Sequence, residues 1–361
     1  MTGVSTNYFL GGNTGKGFYS HFNYIISQKD ATRIICLKGG PGTGKSFLMK
    51  KIGKHYIEKG YDVEFHHCSS DSDSLDGILI KELNVAMLDG TSPHMIDPIT
   101  PGAVDDIVNL GVCLKEDNFK DIKLDILTVN KEIGNSFRRA YRFFAAAKSI
   151  YDDWYTFNNE ALNLYELNIL KENLKNRILP NTFSSLGKKR HLFATGFTPK
   201  GVITYINNII KDIPNVYVLK GAPGTGKTRV LEYLAEEATR RGLDVEILHT
   251  PLTPEKIEHL LIPELKVAIV TSNEITKIEF DGEQYDMDSL LDRNYIESKQ
   301  DSIDDVSSIF YILLQKGLDC ITKAKDLHDD LEKFYIPNMD FDKSDAIYEK
   351  VLAKIQGYED K

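Results

Sequence analysis

The strongest constraint on this chain is that it repeats itself. Residues Thr32–Asp89 align without a gap with Pro214–Thr271, 182 positions later, and 19 of the 58 aligned positions are identical. Asp62-Val63-Glu64 returns as Asp244-Val245-Glu246, His67 as His249, and Val85-Ala86 as Val267-Ala268. Upstream, Gly12–Gly17 resembles Gly196–Gly201 at an offset of 184. A duplication of this length predicts two like-folded halves. A chain of 361 residues can give each half its own core.

Each copy contains one glycine-rich segment. The first is Gly39-Gly40-Pro41-Gly42-Thr43-Gly44-Lys45-Ser46 and the second is Gly221-Ala222-Pro223-Gly224-Thr225-Gly226-Lys227-Thr228. Both satisfy G-x-x-x-x-G-K-[ST], the P-loop pattern. A triphosphate is strongly anionic, and backbone N–H groups must come close to it. Glycine permits that approach because it has no Cβ, and the following helix points its positive end at the phosphates. The pattern therefore predicts ATP with Mg²⁺ in both halves. Lys45 and Lys227 are expected to reach the β- and γ-phosphates, and Ser46 and Thr228 to place a hydroxyl on the metal.

A P-loop also needs an acid at the end of a neighbouring apolar strand. Val85-Ala86-Met87-Leu88-Asp89 supplies one, whereas Val267-Ala268-Ile269-Val270-Thr271 ends on a neutral hydroxyl. The expected metal ligands are thus Ser46, Asp89 and Thr228, and the two sites are expected to be unequal. The catalytic candidates are Lys45, Asp89 and Asp71, the last as a general base from the polar stretch after the second strand. His67 and His249 close that strand in each copy, where a histidine either meets phosphate or packs at a strand end.

The predicted fold is α/β, with two tandem P-loop NTPase domains spanning residues 1–182 and 183–361. A β-branched run (Arg33–Leu37; Val216–Leu219) enters each loop, a helix follows it, and further strands run over 62–67, 83–89, 244–249 and 265–271. Alternating strands and helices imply a parallel sheet with helices on both faces. Helical extensions are expected at about 121–180 and about 297–358. The aromatic stripe Tyr141, Phe143, Phe144, Tyr151, Trp154, Tyr155 is read as core.

The net charge of −9 makes nucleic acid an unlikely partner. The basic cluster Lys188-Lys189-Arg190 reads as a solvated linker. Four scattered cysteines without a C-x-x-C pair suit a reducing cytoplasm. No secretory signal is seen, and no apolar run approaches the length of a membrane span.

The two GxPGTGK copies, Asp89-Gly90-Thr91-Ser92-Pro93-His94 and Pro101-Gly102-Ala103-Val104-Asp105 resemble an uncharacterised bacterial family. Its members are tandem P-loop proteins described as ATPases or nucleotide-kinase-like. The resemblance implies ATP binding in the cytoplasm and places His94 in the first-copy motif. The family's second copy carries a like acid-containing stretch. Here it reads Thr271-Ser272-Asn273-Glu274-Ile275, a departure at the second site. Three functions stay open: an ATPase with a hydrolytic first site and a regulatory second, a small-molecule or nucleotide kinase, and a non-enzymatic nucleotide-sensing module. Each would work with a protein or small-molecule partner that the sequence does not identify.

Overall fold

The computed structural model describes residues 2–91, 97–182 and 184–359. The first half runs β1 (Ser5–Phe9), the hairpin β2 (Gly11–Thr14) and β3 (Gly17–Ser20), β4 (Arg33–Lys38), α1 (Lys45–Glu58), β5 (Val63–Cys68), β6 (Asp71–Ile80), β7 (Val85–Asp89) and β8 (Asp105–Asn109). Two long helical segments follow, α2 (Lys123–Glu160) and α3 (Leu164–Ile178). The second half repeats the plan with β9 (Lys189–Leu192), β10 (Thr195–Thr198), β11 (Gly201–Thr204), α4 (Ile206–Ile210), β12 (Asn215–Lys220) and α5 (Lys227–Arg240). It continues through β13 (Val245–Thr250), β14 (Thr253–Ile262), β15 (Val267–Ser272), β16 (Glu283–Asp286), α6 (Arg293–Tyr335) and α7 (Phe341–Gln356).

Two six-stranded sheets form, in the orders β1-β5-β6-β7-β4-β8 and β9-β13-β14-β15-β12-β16. They match strand for strand. The expected all-parallel sheet is replaced by a mixed one, because β6 and β14 each run antiparallel to both neighbours. The cause is connection length. Only Ser69 and Ser70 join β5 to β6, and Pro251 and Leu252 join β13 to β14. Two residues close a hairpin but cannot carry a parallel crossover.

Helices do not cover both faces alike, as the sequence suggested. In β4, Ile35 and Leu37 face an outer core, while Ile34 and Cys36 face an inner one. Long helices fill only the outer cores. The inner core takes residues from both sheets, such as Leu88 and Val270, plus Ile206 and Ile209 of the five-residue α4. A strand buried on both faces is apolar throughout, whether its cover is helix or another part of the chain.

The helices also exchange partners. Leu167, Leu174 and Ile178 of α3 pack with α5 on the second sheet. Tyr348, Val351 and Ile355 of α7 pack with α1 on the first. The segment between α3 and β9 separates the two sheets in sequence, but the cores cross it. Each fully buried Leu or Ile contributes roughly 1.5–3 kcal/mol, so these docked helices hold the halves together.

Between them, α2 and α6 lie antiparallel. Tyr151 meets Phe310, and a Cβ on Gly317 would fall 2.3 Å from the Phe144 ring, so glycine is what lets the helices approach. Phe144, Trp154 and Phe310 are buried here together with Phe197 of the β10–β11 hairpin. The expected linker at 188–190 is only partly solvated. Arg190 donates to Glu64 of the first sheet at 2.5 and 2.9 Å and to Glu246 of the second at 2.9 Å. Glu64 is buried, and Arg190 and His66 hold its carboxyl below the usual range against the opposing effect of burial.

Candidate functional site

Both glycine loops leave the C-terminal end of a central strand and enter a helix. Gly42 and Gly44 have φ of 66° and 84°, and Gly224 and Gly226 have 86° and 92°, the left-handed region that glycine enters without a Cβ penalty. No side chain caps α1 or α5. Each helix therefore presents first-turn N–H groups that lack an intrahelical acceptor, a ready anion site.

In the first half, Lys45 Nζ donates to the carbonyls of Gly39 and Gly40, both at 2.9 Å. It lies 3.7 Å from Asp89 Oδ2. Asp89 arrives there by register: Leu37, two residues before Gly39, pairs with Asp89 at the end of β7. Asp89 Oδ1 accepts the Thr91 N–H at 2.8 Å, and Thr91 Oγ1 donates to Gly39 O at 2.9 Å. Ser46 Oγ accepts the Leu75 N–H at 3.0 Å. Asp71 stands at the start of β6, where its Oδ2 accepts from Ser74 Oγ at 2.8 Å. Lys45, Ser46, Asp71 and Asp89 all line one cavity of about 820 Å³.

The far walls of this cavity come from α2 and α6. Phe137 and Tyr141 belong to α2, and Lys325, His328 and Glu332 to α6. Lys325 Nζ approaches Asp71 Oδ2 at 3.5 Å. Tyr335 and Ile336, at the end of α6, sit over the loop. A Cβ on Gly42 would lie 3.0 Å from Ile336 Cγ1. Among the described residues, His328, Asp329 and Glu332 are grouped closely enough to share a cation, but Asp329 is already ion-paired with Lys325.

The second loop is largely covered. Its cavity measures about 80 Å³. The end of α2 lies directly on it: Asn158 Nδ2 donates to Pro223 O at 2.6 Å, and a Cβ on Gly224 would fall 2.3 Å from the Tyr155 carbonyl oxygen. Leu162 and Leu167 close over Gly226. Asp288 Oδ1 accepts the Ala222 N–H at 2.8 Å, so an acid occupies a loop amide. Lys227 donates to Gly221 O and Ala222 O. Burial lowers its pKa, opposed by the charges of Glu274 and Asp288.

Thr228 Oγ1 lies 3.5 Å from Ile257 O. Thr271, opposite Leu219 in the register, is buried and fully engaged: its hydroxyl donates to Glu258 O at 3.0 Å and its N–H to His259 Nδ1 at 3.1 Å. Burial raises the Glu274 pKa.

Other sequence candidates lie elsewhere. His67 contacts Ser72 O at 3.0 Å and Asn7 Oδ1 at 2.9 Å, packed at a strand end. His249 meets His191 at 2.8 Å and stacks on His21. His94 lies outside the described residues. The sequence did not signal Lys325, Glu332, Tyr155, Asn158 or Asp288, because only the helix exchange brings the first four to the loops.

Residues 13–81 match the family model described as Nephrocystin 3, N-terminal. That stretch runs from the first hairpin through the first loop to the end of β6 and stops before Asp89. No curated protein and no solved structure matches the chain. The likeness covers 69 of 361 residues, so it marks a local resemblance around the first loop.

Proposed function

We propose that the first half binds ATP with Mg²⁺ at residues 39–46 and turns it over, and that the second loop is a degenerate, structural copy. The observation that carries this reading is the contrast in space and donors. One loop opens on about 820 Å³ with a lysine, a hydroxyl and a carboxylate converging, and the other on about 80 Å³ whose lining includes no acid. Pockets that take small-molecule ligands run to several hundred Å³.

The donor set of the first loop fits a magnesium nucleotide. Ser46 and Asp89 are the oxygen donors that would hold Mg²⁺, directly or through water, and the metal would neutralise charge on the phosphates. Lys45 now satisfies its ammonium on two loop carbonyls and can exchange those for phosphate oxygens. The loop and first-turn N–H groups bind the rest, and Tyr335 and Ile336 limit water access.

At the second loop the residues do not fit the same group. The Thr271 hydroxyl is already committed, Asp288 holds an amide that a phosphate would need, and the end of α2 fills the space. The expectation of nucleotide in both halves narrows to the first.

Phosphoryl transfer to a small acceptor is a second reading, favoured by the polar wall of Ser70, Asp71 and Ser74 in a cavity of this size. Titration calorimetry with MgATP tests the main proposal. One Lys45-dependent binding event per chain is expected. Normal binding by Lys45→Ala would sink the loop assignment. Turnover that needs an added metabolite would select the kinase.

A further inference from the structure

We propose that Lys325, carried on α6 from the second half, reads the terminal phosphate of the nucleotide held by the first loop, with Asp71 as its resting counter-ion. This rests on the reading of residues 39–46 as a triphosphate loop.

Lys325 lines the same cavity as Lys45 and Asp89. Its Nζ lies 3.5 Å from Asp71 Oδ2, and it also pairs with Asp329 one turn further along α6. Asp71 connects to the loop through a few atoms: Ser74 Oγ donates to Asp71, and the next residue, Leu75, donates its N–H to Ser46 Oγ. Lys325 thus stands on the Ser46 side of the loop. In a P-loop that hydroxyl marks the metal bridging the β- and γ-phosphates. Lys325 and Ser46 line the same cavity, and a cation on that side of it is placed to meet the phosphate that ATP has and ADP lacks. The amine stays protonated, since its hydrogen bond to Asp329 and the charge of Asp71 outweigh its partial burial and raise its pKa.

The duplication supplies an internal control. The counterparts of Lys325 and Asp71 at the second loop are Lys148 and Thr253. Lys148 pairs with Asp152 on its own helix and does not line the small cavity, and Thr253 carries no charge. An ion pair that merely pinned a helix to a strand would be useful at both ends. It is kept only at the open one.

The test uses the full chain and calorimetric titration with ATP or ADP in Mg²⁺. Lys325→Met keeps the apolar stem and removes the charge. It should weaken ATP about 10- to 100-fold, the size of one charged hydrogen bond, and change ADP less than about threefold. Lys325→Arg should recover most of the ATP affinity. Asp71→Asn should tighten ATP several-fold, because it removes one of the two carboxylates, Asp71 and Asp329, that compete with phosphate for the amine. If Lys325→Met shifts ATP and ADP alike, or shifts neither while Lys45→Ala abolishes both, the inference is overturned and the loop reading stands. If wild type binds neither nucleotide, both fall together. A structural ion pair also predicts the opposite sign for Asp71→Asn, a loss of affinity for both nucleotides.

Discussion

The two loops share six identical residues of eight and left-handed glycines at the same two positions, yet one opens on a cavity and the other is plugged. The difference lies outside the motif. At the first loop, α6 ends in Tyr335 and Ile336, which stand over the glycines at the edge of the space. At the second, the corresponding end of α2 drives a backbone carbonyl and Asn158 against Gly224 and Pro223. A motif sets the local backbone, but neighbouring elements decide whether anything can reach it. The acid follows the same division, with Asp89 at the open end and the committed Thr271 at the sealed one.

The largest effect should come from removing the acid. Asp89→Asn keeps the shape and removes the charge, and it should cost roughly 10²- to 10³-fold in ATP turnover. Lys227→Ala should leave appreciable turnover if the second loop is the structural copy proposed above. Steady-state phosphate release from the two variants checks this. Retained activity in Asp89→Asn together with loss in Lys227→Ala would reverse the roles of the two ends.

A smaller effect tests how firmly the second loop is sealed. At Gly224, alanine must place its Cβ 2.3 Å from a backbone oxygen at φ 86°; at Gly42 the nearest atom is a side-chain carbon at 3.0 Å at φ 66°. The left-handed angle costs about 1–2 kcal/mol in either case. The clash at Gly224 adds up to about 3 kcal/mol, since backbone cannot turn aside. Urea unfolding should find Gly224→Ala the less stable by about 2 kcal/mol or more. Equal values would mean that the end of α2 yields easily, and that the second loop can open.

Much of this comparison was legible in the sequence and part of it was not. The loops, α1 and α5, the strands entering them and the place of Asp89 are all set locally, by glycine spacing and short-range register. β6 was hidden because Asp71-Ser72-Asp73-Ser74 shows no apolar alternation, and only its end, Ile78–Ile80, is an apolar run. The shared inner core was hidden because alternating burial on both faces looks the same under any cover. Lys325 and Asn158 lie more than 60 residues from the loops they meet. Periodicity showed α2 and α6 as helices, but nothing in either helix announces which loop its end will reach. Arg190 misled for the same reason: a basic triplet between halves reads as linker until the acids of both sheets converge on it.

The smallest predicted effect concerns what sealing does to a buried acid. Glu258, on β14, is 3% exposed, and burial pushes its carboxyl up to about 7. Asn273 Nδ2 donates to it at 2.9 Å, and the adjacent His259 is held neutral, its pKa lowered to about 3 by burial. Its counterpart in the first half, Asp76, is equally buried but borders the open cavity. In the unfolded chain Glu258 ionises near its ordinary value, below 5. Between that value and about 7, the folded protein therefore holds a proton that the unfolded chain has lost, so stability falls as pH rises. From pH 5 to pH 7 this group alone should cost about 2 kcal/mol. Glu258→Gln keeps the shape without the titration. It should flatten that part of the pH dependence and make the variant more stable than wild type at pH 7, measured by urea unfolding at the two pH values. Parallel slopes for the two proteins would show that Glu258 ionises freely, and that water reaches the sealed end after all.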